Sequence, residues 1–211
     1  QLGESPKLVH NVGALGIENI NKLSLLSKLD LENSISFKLN GDLNFLVTFH
    51  PVTLENSTSS EQVFQLLQAL DLIENCKIIF TKSNSDTDGR IINEIIEDYV
   101  IKNPKKSICY TSLGQVRYLS LLKHVDCVIG NSSSGLIEVP SFKIATVNIG
   151  DRQRGRISGA SVINCLPIKN KILDAIKKAI SKNFKTEVLS KSINPYGEGN
   201  SSDFIIDKLK N

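Results

Sequence analysis

Residues 127–140 read CVIGNSSSGLIEVP: an apolar run that suits a buried strand stops at Gly130, and after the polar stretch Asn131–Gly135 a second, helix-like apolar pattern begins. In an open parallel sheet, ligands bind at such handovers, outside the carboxyl ends of the strands. The first N–H groups of a helix have no partners inside it, and the aligned peptide dipoles make that end positive, so it suits a phosphate oxygen. Ser132 and Ser133 would add hydroxyl donors, and Gly135 would let the backbone come close. The plainer reading is that Asn131 or Ser132 only caps the helix. Glu138 weighs against it. It lies six residues after Ser132, on a short helix that Pro140 is expected to end, and its carboxylate can accept from both hydroxyls of a ribose whose phosphates rest on the helix start. A phosphate site beside a ribose acceptor points to a nucleotide. A nucleophilic serine is disfavoured, because the pattern is not G-x-S-x-G and His10, His50 and His124 all lie upstream.

Outward from this stretch the same alternation repeats. NFLVTFH, CKIIF, KSICY, VDCVIG and KIATVNIG are short β-rich runs, separated by SSEQVFQLLQALDLIE, DGRIINEIIEDYVIKN, GQVRYLSLLKH and SSGLIEVPSF. Apolar strands joined by helical crossovers predict a parallel sheet covered on both faces, a doubly wound, Rossmann-like α/β domain. The first of these helices has Val63, Leu66, Leu67 and Leu70 at i, i+3, i+4 and i+7; in the second, Ile91, Glu94, Ile95 and Asp98 follow the spacing only in part.

Residues 1–40 read as a lead-in, with a strand, a glycine-bearing turn and a helix in LVHNVGALGIENI and a further short helix in KLDLENSISFKL. The nucleotide-binding domain is expected over 41–190, including a strand near ASVINC and a helix near KNKILDAIKKAI. A turn at NPYG and a helix from about Asn200 complete the chain over 191–211.

Bulk properties exclude several classes. With 25 Lys and Arg against 22 Asp and Glu, the basic residues scattered except at Arg152, Arg154 and Arg156, no nucleic-acid footprint is expected. Cys76, Cys109, Cys127 and Cys165 share no CxxC spacing, and three of them sit in strand-like runs, as buried thiols of a reducing, cytoplasmic compartment would. No apolar run approaches the ~18 residues of a membrane span, and no signal peptide is recognised. The absence of methionine suggests part of a longer protein.

The segments QLGE, NVGALGIENI, FHPVTLE, SNSDTDGR, IGNSSSGLIEVPSFKIATVNIGDRQRGR and GASVI, in this order and spacing, together resemble the hydrolysing UDP-N-acetylglucosamine 2-epimerases, in particular their bacterial sialic-acid branch. The resemblance covers nearly the whole chain, and its serine-to-arginine block is the specific part. It implies the second half of a GT-B type two-domain fold. It also implies loss of UDP from UDP-N-acetylglucosamine by anti elimination, through 2-acetamidoglucal, with hydration to N-acetylmannosamine. No metal and no cofactor are expected, and a homo-oligomer is expected of the full-length protein.

Carried over residue by residue, Ser132, Ser133 and Gly135 would hold the diphosphate and Glu138 the ribose. Tyr118 stands where the family stacks a ring on uracil, or it is an ordinary core tyrosine. His50, at the end of FLVTFHP, would steady the departing diphosphate as the catalytic cation, with Arg152 and, more weakly, Arg156 assisting; the basic loop is otherwise a solvated connection. Asn84 would lie near the nucleotide sugar, and Asp86-x-Asp88 caps a helix rather than binding a metal, although Asp88 stands where the family pattern has a small residue. The acid and base that act at C2 of the sugar are expected from the first domain, so the chain alone is expected to be inactive. Two other readings stay open: a GT-B glycosyltransferase with the same nucleotide site, and a UDP-sugar-binding module without catalysis.

Overall fold

The computed structural model describes residues 3–52, 59–83 and 87–210, with residues 87 and 88 described by their backbone alone. Six parallel strands make the sheet: β1 (Leu43–Thr48), β2 (Cys76–Thr81), β3 (Ser107–Tyr110), β4 (Cys127–Gly130), β5 (Ala145–Ile149) and β6 (Val162–Cys165). Their order is β3-β2-β1-β4-β5-β6, so the chain builds outward from β1 in one direction and then returns to build from β4 in the other. This is the doubly wound parallel sheet expected from the alternation of strands and helices.

The strands read as continuous apolar runs because both faces are covered. Successive side chains point to opposite sides. Phe45 and Val47 enter a core with Val63, Leu66 and Leu70 of α3 (Ser59–Asp71), Ile92 and Ile96 of α4 (Thr87–Lys102), and Ile172 and Ile176 of α7 (Lys169–Ile180). Leu46, between them, enters the other core, with Leu119 and Leu122 of α5 (Gly114–Leu122) and Leu31 and Ile35 at and just after α2 (Lys28–Ser34). The segment before residue 41 therefore supplies part of the core of the second face. Leu31 is fully buried.

The strand expected before residue 20 is not formed. Pro6–Leu8 makes a 3-10 turn, and the chain runs extended into α1 (Leu15–Lys22). Leu8 and Val9 are 75% and 59% exposed, with no strand beside them, and Ala14 N–H donates instead to Tyr196 O, 2.9 Å away in the C-terminal turn. β-propensity without a sheet edge to pair with does not hold a strand. The turn leads to α8 (Ser201–Lys210), which rests on α1, and a π-helical turn over Phe184–Leu189 that no sequence pattern announced follows α7. Among the described residues no helix is long and apolar enough to cross a membrane.

Candidate functional site

Strand register sets out the floor of the site. Tyr110, Thr81, Thr48, Gly130, Asn148 and Asn164 are successive partners across all six strands, a mostly polar row at their carboxyl ends. Thr48 and Thr81 join through their hydroxyls. Between Thr48 and Gly130, where the strand order reverses, the two backbones come very close. A Cβ on Gly130, whose φ is +134°, would stand 1.9 Å from Thr48 O, so only glycine fits.

Asn131, fully buried, clamps this reversal point shut. Its Oδ1 accepts from His50 N–H at 2.7 Å and its Nδ2 donates to His50 O at 2.8 Å, so one amide satisfies both backbone groups of the residue that leaves β1. Its own carbonyl accepts from Gln153 Nε2 at 2.7 Å and Arg152 Nη1 at 3.1 Å. Asn131 is therefore not a helix cap. Arg152 lies behind the clamp, braced against it.

The serines that follow lead into α6 (Ser134–Ile137). Ser133 makes no side-chain cap bond, and Ser132 Oγ reaches Ser134 N–H only at 3.4 Å. Among the described residues the N–H groups of Ser132 and Ser133 have no acceptor. With four residues, α6 has little macrodipole, so any attraction for phosphate rests on these local N–H and hydroxyl donors. The close approach at Gly135 is to the sheet. A Cβ there would meet Thr146 Cγ2 at 2.6 Å, and Thr146 Oγ1 donates to Gly135 O at 2.7 Å.

Glu138 forms the end of α6, and Pro140 lies beyond it in a 3-10 turn over Val139–Phe142, so the helix stops earlier than expected. One carboxylate oxygen, Oε2, is buried without a hydrogen-bond partner among the described residues; the other lies near the start of α1, 3.4 Å from where a Cβ on Gly16 would stand. Tyr118, on α5, is partly buried against the second core, and its hydroxyl meets Ser134 Oγ at 2.5 Å. Burial pushes its phenol up to about 12, the Ser134 hydrogen bond pulling down and the Glu138 charge pushing up.

A cavity of ≈ 360 Å³ opens above the ends of β1 and β2, with His50, Lys82, Tyr118, Ser132 and Ser134 in its wall. His50, Tyr118 and Ser132 thus come together there, whereas Ser133, Gly135, Glu138 and Arg152 do not line it. Asn84 and Asp86 lie outside the described residues, as does the side chain of Asp88. Sequence reasoning missed Thr48, Thr81 and Lys82, although the first two share a signal, a polar residue closing an apolar strand. Lys82 is engaged by the Glu97 carboxylate. Nothing local announced Gln153.

With this geometry in place, the comparisons with known proteins are decisive for family. Residues 1–210 match the family described as UDP-N-acetylglucosamine 2-epimerase. The chain belongs to that family. It is 42% identical over 185 residues to the GDP/UDP-N,N'-diacetylbacillosamine 2-epimerase (hydrolyzing) of Campylobacter jejuni, covering 88% of this chain and 47% of that protein. It is equally 42% identical, over 219 residues, to the polysialic acid biosynthesis protein P7 of Escherichia coli, covering 100% of this chain and 55% of the relative. The chain thus spans about half the length of these curated relatives. Among solved structures, the S. aureus MnaA–UDP co-structure shares the fold with a TM-score of 0.73 at 16% identity, over 99% of this chain and 55% of that one.

Proposed function

We propose that this epimerase-family chain is the UDP-binding half of a hydrolysing UDP-N-acetylglucosamine 2-epimerase, a cytoplasmic enzyme of sialic-acid type sugar biosynthesis for capsule polysaccharide. In this reading it releases UDP by anti elimination through 2-acetamidoglucal, which is hydrated to N-acetylmannosamine. The observation that carries the reading is the clamp of His50 by Asn131, which holds His50 with Ser132 in the wall of one cavity at the strand reversal. Ser132 and Ser133 would hold the diphosphate, Glu138 the ribose, and the Tyr118 ring the uracil side. His50, with Arg152 bracing the clamp, would stabilise negative charge growing on the departing UDP. Asn84 is placed near the sugar by the family resemblance alone.

Among the described residues the wall of the cavity contains no Asp or Glu; a carboxylate acting at C2 of the sugar is expected from the first domain. Titration with UDP by calorimetry, without divalent metal, is expected to give saturable binding that Glu138→Ala and Ser133→Ala each weaken by about tenfold or more, as loss of a charged or backbone-assisted hydrogen bond does. Binding indifferent to both substitutions would refute this placement. The 42% identity to the diacetylbacillosamine enzyme, equal to that to the polysialic acid protein, favours a second candidate sugar, a diacetamido-trideoxyhexose, on the same UDP. Product analysis of the full-length protein with each nucleotide sugar separates the two.

A further inference from the structure

We infer that Gln153 is a positioning residue of the nucleotide crevice: through the carbonyl of Asn131 it aims the peptide N–H of Ser132 at the diphosphate and steadies the clamp on His50. This rests on the nucleotide reading above and adds to it a residue that itself touches no ligand. Within residues 151–156 only Gln153 is buried, at 4% exposed. Turns fold the loop around it, Arg154 N–H donating to Asp151 O at 2.9 Å and Arg156 N–H to Gln153 O at 3.2 Å. Its side-chain NH2 donates to Asn131 O at 2.7 Å, 22 residues back along the chain. Its Oε1 is buried without a hydrogen-bond partner among the described residues. A half-satisfied buried amide costs stability, so an apolar side chain of the same length would let the loop fold at least as well. What the amide supplies is the bond to Asn131.

Every polar group of Asn131 is engaged. Its N–H donates to Thr48 O at 3.1 Å, its side chain holds both backbone groups of His50, and its carbonyl accepts from Gln153 and Arg152. That carbonyl and the N–H of Ser132 belong to one trans peptide, so the N–H projects from the opposite edge, away from the two donors. A carbonyl that accepts hydrogen bonds, one of them from a cation, polarises its peptide, and the N–H at the other edge becomes a stronger donor. Among the described residues that N–H has no acceptor, and Ser132 lines the cavity that has His50 in its wall. Negative charge growing on a departing diphosphate is best stabilised by donors already fixed in place, which need no rearrangement as the bond breaks. Arg152 reaches the same carbonyl from an exposed position, whereas Gln153 is held there by burial.

The test compares the 211-residue chain with Gln153→Met, which keeps the length and removes the donor, and with Gln153→Leu as a second apolar replacement. Urea unfolding reads stability, NMR follows the backbone amide nitrogen of Ser132, and titrations with UDP and with uridine read binding. Both variants are expected to unfold at the same urea concentration as the unaltered chain or a higher one, and to move the Ser132 resonance before any ligand is added. Their affinity for UDP is expected to fall about fivefold or more, the worth of one hydrogen bond, while uridine, which lacks the phosphates, binds as before. An unmoved Ser132 resonance, an unchanged UDP affinity or an equal loss for uridine would overturn the inference. So would a lower unfolding midpoint in both variants, which would make Gln153 a structural residue. If the unaltered chain does not bind UDP, the nucleotide reading fails, and the Ser132 resonance alone then decides for or against the positioning by Gln153.

Discussion

Asn131 does more to shape the crevice than any of the serines after it. Its amide answers both backbone groups of His50, and its carbonyl gathers Gln153 and Arg152, so four side-chain or backbone groups from two distant segments meet on one residue. Asn131→Asp keeps an acceptor for His50 N–H but sets a carboxylate oxygen against His50 O. The expected cost is about 1–3 kcal/mol of stability, the range for a buried polar group left unsatisfied, with a matching loss of UDP affinity; urea unfolding and calorimetry read the two. Unchanged stability would mean that the clamp is not holding the strand ends together. In the sequence this asparagine is indistinguishable from an ordinary helix cap, because its partner His50 lies 81 residues away.

Strands and helices were legible wherever their pattern was local. The period-2 and period-3.6 runs placed β1 to β5 and α3 to α5, and the break at Gly130 located the handover to α6. The strand expected before residue 20, unlike the helix after it, was misread for a physical reason: a strand needs a neighbour, and Leu8 and Val9 have none among the described residues. Gly130 shows the reverse, a residue whose need is invisible until β1 and β4 are side by side. Gly130→Ala is expected to cost about 1–3 kcal/mol for strained backbone and a further ~1–3 kcal/mol for the clash with Thr48, lowering the denaturant midpoint accordingly. Gly155→Ala is the control: its φ is +82° with nothing within 4 Å of the added carbon, so only about 1–2 kcal/mol of backbone cost is expected. Equal losses at the two positions would contradict the close approach at the strand reversal.

The two ends of the chain meet over the second face, where α8 rests on α1. Glu18 is the link: its carboxylate accepts from Ser202 N–H at 2.9 Å, from the Ser202 hydroxyl and from Lys22. The Lys22 hydrogen bond first, and then those from Ser202, pull the Glu18 carboxyl down to about 2. A depressed carboxyl stabilises the contact fully above the ordinary carboxylate range, and that contribution is lost as the pH falls toward 2. The Ser202 amide resonance is therefore expected to titrate with a midpoint near 2. A midpoint at the ordinary glutamate value of about 4.3 would show that the ends are not joined in this way. Beyond that contact α8 leaves Phe204, Ile206 and Leu209 exposed at 57%, 46% and 82%.

By itself the sequence determined the class of fold, the alternation of strands and helices, and the stretch Gly130–Glu138 at which a ligand is to be sought. These are written in short-range periodicity, which records only which side of an element is buried. The tertiary structure alone decided that β1 pairs with β4, that Asn131 closes on His50, and that Gln153 reaches the carbonyl of Asn131. Those facts depend on contacts between residues far apart in the chain, whose choice is made by the packing of both faces of the sheet at once and leaves no local mark.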